Sequence, residues 1–132
     1  MKAEYLAGLF DGEGSLIIRF RKDSRYKNGF QIKPHIDIAQ KNPQVLKMIQ
    51  KEFNMGKVYK NTDDVWHFCL FKFDDLVKLL EMIENHSIIK KEKMKKFLIC
   101  VKMMQKKNHL HSDGFEKIKK IWSARDSEAN TP

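Results

Sequence analysis

Apolar and polar positions along the chain repeat with two different periods, and the period switches several times. An alternation of period two, which is typical of β-strands with one buried face, occurs in residues 15–22 and 30–40. Two shorter apolar runs around a polar turn predict two more strands, at residues 57–61 and 65–72. Repeats of three or four residues predict amphipathic helices at residues 3–10, 43–53, 74–83, 90–106 and 113–122.

The predicted order is α-β-β-α-β-β-α with extra helices at the C-terminal end, which is an α+β fold. Strands with one polar and one apolar face would form a four-stranded antiparallel sheet that helices cover on one side. Residues 1–124 fit a single domain, and residues 125–132 are expected to be a flexible tail. Both faces of the fourth strand are apolar, so the sequence leaves open which of them points outward.

The composition is that of an ordinary globular protein, with 42% hydrophobic and 33% charged residues in a chain of 132. Lysine and arginine number 26 against 17 acidic residues, so the net charge is +9. This excess favours a polyanionic partner, because neutralised phosphates release their counterions. A basic surface that is merely solvated is the alternative.

Several other classes of protein find no support in the residues. Cys69 and Cys100 lie in apolar segments and are expected to be buried thiols rather than a disulfide, which suits a reducing compartment. The histidines show no zinc-binding spacing with these cysteines, and no apolar run reaches membrane-spanning length. Because a secretory or transit pattern is lacking, we expect an intracellular protein, made inside an organelle (chloroplast or mitochondrion) or in a prokaryotic cytoplasm.

Residues 6–14, Leu-Ala-Gly-Leu-Phe-Asp-Gly-Glu-Gly, carry the candidate chemistry. The large apolar side chains can anchor this helix in the core, whereas Ala7 and Gly8 leave space for another backbone to approach. A glycine inside a helix costs about 1 kcal/mol relative to alanine, and a close approach would offset that cost. Two acids, Asp11 and Glu13, leave the helix end in a glycine-rich turn that could open Glu13 to a ligand.

This string resembles the signature of the LAGLIDADG homing endonucleases, which it matches at Leu6, Ala7, Gly8, Leu9, Asp11 and Gly14. A hydrophobic residue, a small residue and an acid occupy the other three positions, Phe10, Gly12 and Glu13. The resemblance implies a saddle-shaped sheet and site-specific cleavage of DNA. It also implies that two motif helices pack together, so that a chain with one motif forms a C2 homodimer. The residues expected at that interface are Leu6, Ala7, Gly8, Phe10 and Asp11.

The family likeness also assigns the metal site. Glu13 of each subunit would bind a divalent metal, with Mg²⁺ the expected ion because it takes few carboxylates and completes its shell with water and phosphate oxygens. The backbone carbonyl of Gly12 would be a further ligand. Asp11 is expected to be structural, holding the turn after its helix.

Two other catalytic positions follow from the resemblance. Gln40, at the end of the second strand, would order water near the scissile phosphate, unless it is only a surface amide. A lysine before the fourth helix would stabilise phosphate charge or polarise water. The candidates for that role are Lys90, Lys91 and Lys93, and solvation is the alternative for each of them. The family pattern, matched to this sequence, favours Lys93.

Double-stranded DNA would be read by the outward side chains of the sheet, since cations and amides at two-residue spacing can meet phosphates and base edges. In the first hairpin these are Ile17, Arg19, Arg21, Gln31, Lys33, His35 and Asp37, and its loop adds Ser24, Arg25, Tyr26, Lys27 and Asn28. The third strand would add Lys57, Tyr59 and Asn61. Two alternatives of the same fold stay open: an intron maturase that binds RNA and a DNA-binding regulator that does not cut.

Overall fold

The computed structural model describes residues 1–124, which fold in the predicted α-β-β-α-β-β-α order followed by further helices. The elements are α1 (Ala3–Glu13), β1 (Gly14–Lys22), β2 (Phe30–Gln40), α2 (Gln44–Phe53), β3 (Lys57–Lys60), β4 (Trp66–Leu70), α3 (Phe73–Ile83), α4 (Lys91–Gln105) and α5 (Ser112–Ser123). Short 3₁₀ turns precede α4 and α5, at Glu84–His86 and Asn108–Leu110. The expected flexible tail, residues 125–132, lies outside the described residues.

Helix α1 continues three residues beyond its predicted end at Phe10. Gly12 stays helical, and the helix ends where the N–H of Gly14 donates to the carbonyl oxygen of Phe10 and the chain becomes extended. The ring of Phe10 occupies the space that a Cβ on residue 14 would need, so this direct passage from helix to strand requires a glycine. Glu13 is therefore the last helical residue before the sheet begins.

The strands form one antiparallel sheet in the order β1-β2-β4-β3. β1 pairs with β2 along the whole length of β1, from Gly14 with Ile38 to Lys22 with Phe30. β4 pairs only with the second half of β2, from Ile36 onward. The end of the sheet next to α1 is therefore four-stranded, and the β1–β2 hairpin extends beyond it as a two-stranded ribbon.

One face of the sheet is apolar and packs against the helices. Leu16 and Ile18 of β1 and Ile36 of β2 are at most 7% exposed, and the residues between them point to the other face. The same core contains apolar residues of all five α-helices, among them Leu6, Leu46, Leu80, Phe97 and Ile118. Burial of this face is what fixes the sheet on the helices and leaves the opposite face open.

The structure shows which of the two apolar faces of β4 points outward. Phe68 and Leu70 belong to the core, whereas His67 faces Asp37 on the opposite side. Cys69 also lies on that outward side, but its neighbours cover it so that it is only 3% exposed. Cys69 and Cys100 are both buried free thiols. Within residues 1–124, no helix combines the length and the apolar character needed to cross a membrane.

Candidate active site and nucleic-acid interface

The last turn of α1 presents the acid that the motif singled out. The carboxylate of Glu13 is exposed, and it makes no hydrogen bond or ion pair with the residues between 1 and 124. The final carbonyl groups of a helix, here including that of Gly12, have no partner within the helix. The negative end of the helix dipole also favours a cation at this point. A carboxylate and carbonyl oxygens form a hard donor set of the kind that Mg²⁺ or Ca²⁺ prefers.

One chain alone supplies few ligands at this position. Within the described part of the chain, no group of three or more His, Cys, Asp or Glu side chains could hold a metal ion. A cation at Glu13 would therefore need oxygens from elsewhere, such as water, a phosphate or a second carboxylate.

Asp11, the other acid of the motif, is engaged within its own chain. Its carboxylate accepts hydrogen bonds from the backbone N–H groups of Ile88, Ile89 and Lys90, at 2.7–3.2 Å. The hydroxyl of Ser87 donates to it as well. Burial raises the pKa of Asp11, but these hydrogen bonds together outweigh it, so the pKa is lowered from its ordinary value. Asp11 thus holds the loop before α4 rather than the turn after its own helix, which corrects the expectation.

Lys90 is the lysine that contacts the motif. Its Nζ donates to the carbonyl oxygen of Phe10 at 3.1 Å and to that of Gly14. Burial lowers the pKa of Lys90, and the nearby charge of Lys93 lowers it further, while the two acids of the motif act in the opposite direction.

The preference for Lys93 is corrected by this geometry. The Nζ of Lys93 lies 5.4 Å from the ring centre of Trp122 on α5, so its side chain extends toward the C-terminal helix. Lys91 is the first residue of α4. Asp11 accepts a hydrogen bond from the backbone N–H of Lys90 and thereby fixes the one of these three lysines that reaches the end of α1.

Gln40 is the last residue of β2, where it pairs with Trp66 of β4. Since Ile38 pairs with Gly14, Gln40 lies at the same end of the sheet as Glu13. Its side chain lines an open cavity of about 610 Å³ between α1 and α2. The structure therefore brings Gln40 to the motif helix, while its role toward water stays a prediction.

The residues expected at a dimer interface divide into two groups. Leu6, Ala7 and Phe10 are fully buried in the core of their own chain, so they are not available to a partner and that assignment was wrong. Gly8 is exposed, and apart from its chain neighbours and its own helix backbone, a Cβ built on it would meet no atom of residues 1–124 within 4 Å, as is also true of Gly12. The fold of one chain does not require these two glycines, so their small size leaves room for something outside it.

The open face of the sheet carries the residues expected to read DNA in regular rows. Register places Ile17 beside His35, Arg19 beside Lys33 and Arg21 beside Gln31. These rows run from the four-stranded end toward the hairpin loop, and the two rows nearest the loop contain three cations and one amide. On β3, Lys57 and Tyr59 are exposed, and Asn61 follows the strand.

The hairpin loop is only partly available to a ligand. Arg25 is held by Asp23, since its Nε and an Nη donate to the carboxylate at 3.0 and 2.7 Å. The amide of Asn28 donates to the carbonyl oxygen of His109, and thus points toward the connection between α4 and α5. Ser24 and Lys27 are exposed. Tyr26 is half-buried and lines a small cavity with His109.

The open face also carries a group of hydrogen-bonded side chains that the sequence did not predict. His67 Nδ1 lies 2.9 Å from the Asp37 carboxylate, and its Nε2 lies 2.9 Å from the amide nitrogen of Asn61. The ring of Tyr59 stacks on His67, and the Tyr59 hydroxyl lies 3.4 Å from the Cys69 thiol. This hydrogen bond, with burial, raises the pKa of Tyr59 to about 12, and burial raises that of Cys69. Asp37 is therefore shared with β4 instead of being free toward DNA.

Several homing endonucleases of known structure are similar to this fold. I-TnaI, described as a homing endonuclease, is 31% identical, with a TM-score of 0.84 over 98% of this chain and 92% of its own. The archaeal intron-encoded homing endonuclease I-Vdi141I, complexed with DNA, is 23% identical, with a TM-score of 0.85 over 91% and 79%. I-SmaMI bound to cleaved DNA is 24% identical, with a TM-score of 0.87 over 96% of this chain but only 44% of its own.

The fold is thus shared with solved homing endonucleases, and the sequence identifies the family. A family model described as LAGLIDADG endonuclease matches residues 6–104, which is most of the chain. The protein belongs to the LAGLIDADG endonuclease family. No curated protein sequence gives a match.

Proposed function

We propose that the protein is a site-specific endonuclease that acts as a homodimer and cleaves both strands of double-stranded DNA by metal-dependent hydrolysis. The observation that carries this proposal is the exposed Glu13, without a partner among residues 1–124, at the end of a helix whose glycine face is open. One carboxylate is half of a two-carboxylate site. A twofold axis along the glycine face of α1 would bring the second carboxylate from another copy.

Mg²⁺ suits the donor set of this site. It usually takes one or two carboxylates, substrate phosphate oxygens and several waters, which matches a site with one carboxylate per subunit. Glu13 and the carbonyl oxygen of Gly12 would hold it. When bound, such an ion supplies an activated water and neutralises charge on the leaving oxygen.

The chain itself would contribute positioning and charge around the scissile phosphate. Lys90, fixed between two carbonyl oxygens at the end of α1, would place a cation where negative charge develops. Gln40 would orient a water molecule from the end of β2. Asp11 would act through Lys90, because it fixes the loop from which that lysine extends.

The open face of the sheet has the dimensions for a long recognition site. β2 contains 11 residues, which extend over about 36 Å at about 3.3 Å per residue. That length follows roughly ten base pairs at about 3.4 Å each. Two copies related by a twofold axis would read two inverted half-sites, so the preferred site would be nearly palindromic.

Selection of cleaved molecules from a partly random DNA library, with and without Mg²⁺, tests the proposal. We expect one inverted-repeat sequence to be enriched among the cut products with Mg²⁺ and none with EDTA. The Lys90→Ala variant should cut the selected site at least a hundredfold more slowly, whereas Lys93→Ala should resemble the wild type.

Two other outcomes would support the alternatives of the same fold. Protection of a specific duplex without any cleavage in Mg²⁺ would indicate a DNA-binding regulator. Binding to folded intron RNA in preference to every duplex would indicate a maturase. Either result would contradict the proposed endonuclease.

A further inference from the structure

Two exposed isoleucines lie next to the motif helix. Ile88 and Ile89, which we call the isoleucine pad, are 85% and 65% exposed. Their backbone N–H groups both donate to the carboxylate of Asp11, so the loop that carries them is fixed against α1. A fixed apolar pair in water is unfavourable unless another surface covers it.

An apolar groove lies between α1 and α2. We call this 610 Å³ cavity the α1–α2 groove, and its apolar lining comes mainly from Tyr5 of α1 and from Val45 and Met48 of α2. The side chains of Tyr5 and Met48 are 58% and 52% exposed. The groove and the pad are therefore two apolar surfaces of one chain, each without a cover within residues 1–124.

The pad and the groove lie on opposite sides of the open glycine. Successive residues of an α-helix are about 100° apart around its axis. Seen from Gly8, Tyr5 is therefore displaced to one side and Asp11 to the other. Tyr5 lines the groove and Asp11 holds the pad, so the glycine face has one apolar surface on each flank.

The proposed homodimer determines which surfaces meet. When the two glycine faces pack against each other, the Glu13 carboxylates come together if the two α1 helices run side by side in the same direction. A twofold axis parallel to the helices turns one glycine face to point at the other. The flank that carries the pad in one subunit then lies opposite the flank that carries the groove in its partner. We infer that the isoleucine pad of each subunit packs into the α1–α2 groove of its partner. This inference rests on the proposed homodimer and adds the contact that holds it together.

The size of α1 supports a contact beyond the helix itself. Its 11 residues are about 16 Å long and roughly 10 Å wide, which is a footprint of about 160 Å². Stable protein interfaces bury about 800 Å² per partner. Helix-to-helix contact at Gly8 alone is therefore too small, whereas the pad and the groove each occur twice in a twofold dimer and extend it on both flanks.

Charge exchange between the two surfaces tests the contact. One variant carries Ile88→Glu and Ile89→Glu, and the other carries Met48→Lys; all three positions are exposed, so the fold should persist. Each variant alone should dimerise at least tenfold more weakly than the wild type, as measured by sedimentation equilibrium. An equimolar mixture should form a heterodimer, because the acidic pad then faces the basic groove and the unchanged pad faces the unchanged groove. Ile99→Glu, on the exposed side of α4, is the matched control.

The outcomes separate this inference from the proposed function. If the wild type is a dimer and both variants dimerise as tightly as the Ile99→Glu control, the pad-to-groove contact is overturned while the homodimer stands. The same holds if the mixture gains nothing over either variant alone. A wild-type chain that stays monomeric with and without its DNA site would overturn both.

Discussion

The four hydrogen bonds at Asp11 make it the residue whose replacement has the most predictable effect. Asp11→Asn keeps the size of the side chain but replaces one acceptor oxygen by an NH₂ group, which cannot accept from the backbone. The donors of Ile88 and Ile89 are exposed, so water can replace their partner, whereas those of Ser87 and Lys90 are partly buried. A hydrogen bond to a charged group contributes about 1.5–3 kcal/mol. The partly buried donors both bind Oδ1 and the exposed donors both bind Oδ2, so the asparagine oxygen can keep the partly buried pair while its NH₂ group faces the exposed pair. Loss of the charge weakens each retained bond by about 1 kcal/mol, and with the loss of the two exposed bonds we expect a decrease of about 2–3 kcal/mol in the free energy of unfolding.

Thermal unfolding followed by circular dichroism measures this loss. For a domain of this size, it corresponds to a decrease in Tm of roughly 6–15 °C at pH 7.

The pH dependence of this loss follows from the pKa of Asp11, which is lowered by folding. Its contribution is therefore complete above the unfolded pKa and disappears as the pH falls through the lower folded pKa. The difference between wild type and variant should shrink below about pH 4, the ordinary range for an aspartate.

Glu116→Gln, at an exposed position of α5, is the control for loss of an acid. It should unfold within about 0.5 kcal/mol of the wild type, as surface substitutions usually do. An Asp11→Asn variant as stable as the wild type at pH 7 would refute the role assigned to the carboxylate. A stability difference that stays constant down to pH 3 would refute the electrostatic part of the reasoning.

Three further predictions concern the interface, the lysine and the DNA. Gly8→Ala should stabilise the isolated subunit by about 0.5–1 kcal/mol through helix propensity and yet weaken the dimer, as chemical denaturation and sedimentation at several concentrations would show. Lys90→Met should retain specific DNA binding in gel-shift titrations but slow single-turnover cleavage, while Lys93→Met leaves both unchanged. The affinity for the selected site should fall steeply as salt rises, with a log–log slope of about −0.9 per phosphate contact; a flat response would exclude phosphate-dominated recognition.

The order of elements was predictable because hydrophobic periodicity is a local property. Residues 15–22 and 30–40 alternate apolar and polar side chains, and the structure pairs the first of these strands with the second along its full length. The helix end was less predictable. Helix α1 was expected to end at Phe10, before a glycine-rich turn, but it continues to Glu13. It ends at Gly14, where the ring of Phe10 occupies the space that a Cβ would need.

The residues of the candidate active site were predictable only where they belong to the motif segment. Asp11 and Glu13 come from the motif, but the partners of Asp11 are 76 to 79 residues further along the chain. No local pattern relates Ser87 or Lys90 to α1, so the preference for Lys93 rested on the family pattern alone. The interface error had a signal in the sequence: at about 100° per residue, the buried Leu6 and Phe10 lie on the far side of α1 from Gly8.

The outward face of β4 could be assigned only from the register of its pairing with β2. His67 and Phe68 lie in a run that is otherwise apolar, residues 65–71, so hydropathy does not distinguish the two faces of the strand. Pairing of Asp37 with Cys69 and of Ala39 with His67 decides it, because Asp37 belongs to the polar face of β2. The hydrogen bond between His67 and Asp37 follows from that pairing and could not be read from either strand alone.

Cleavage of a plasmid that carries the selected site, by wild type and by Glu13→Gln, tests the central claim most directly. With Mg²⁺, the wild-type dimer should convert supercoiled plasmid to linear product. Glu13→Gln should bind the same site with a Kd within a few-fold of the wild type and leave the plasmid uncut, because the substitution removes the carboxylate from both subunits and keeps the fold. Linear product from Glu13→Gln at a rate near that of the wild type would contradict the account.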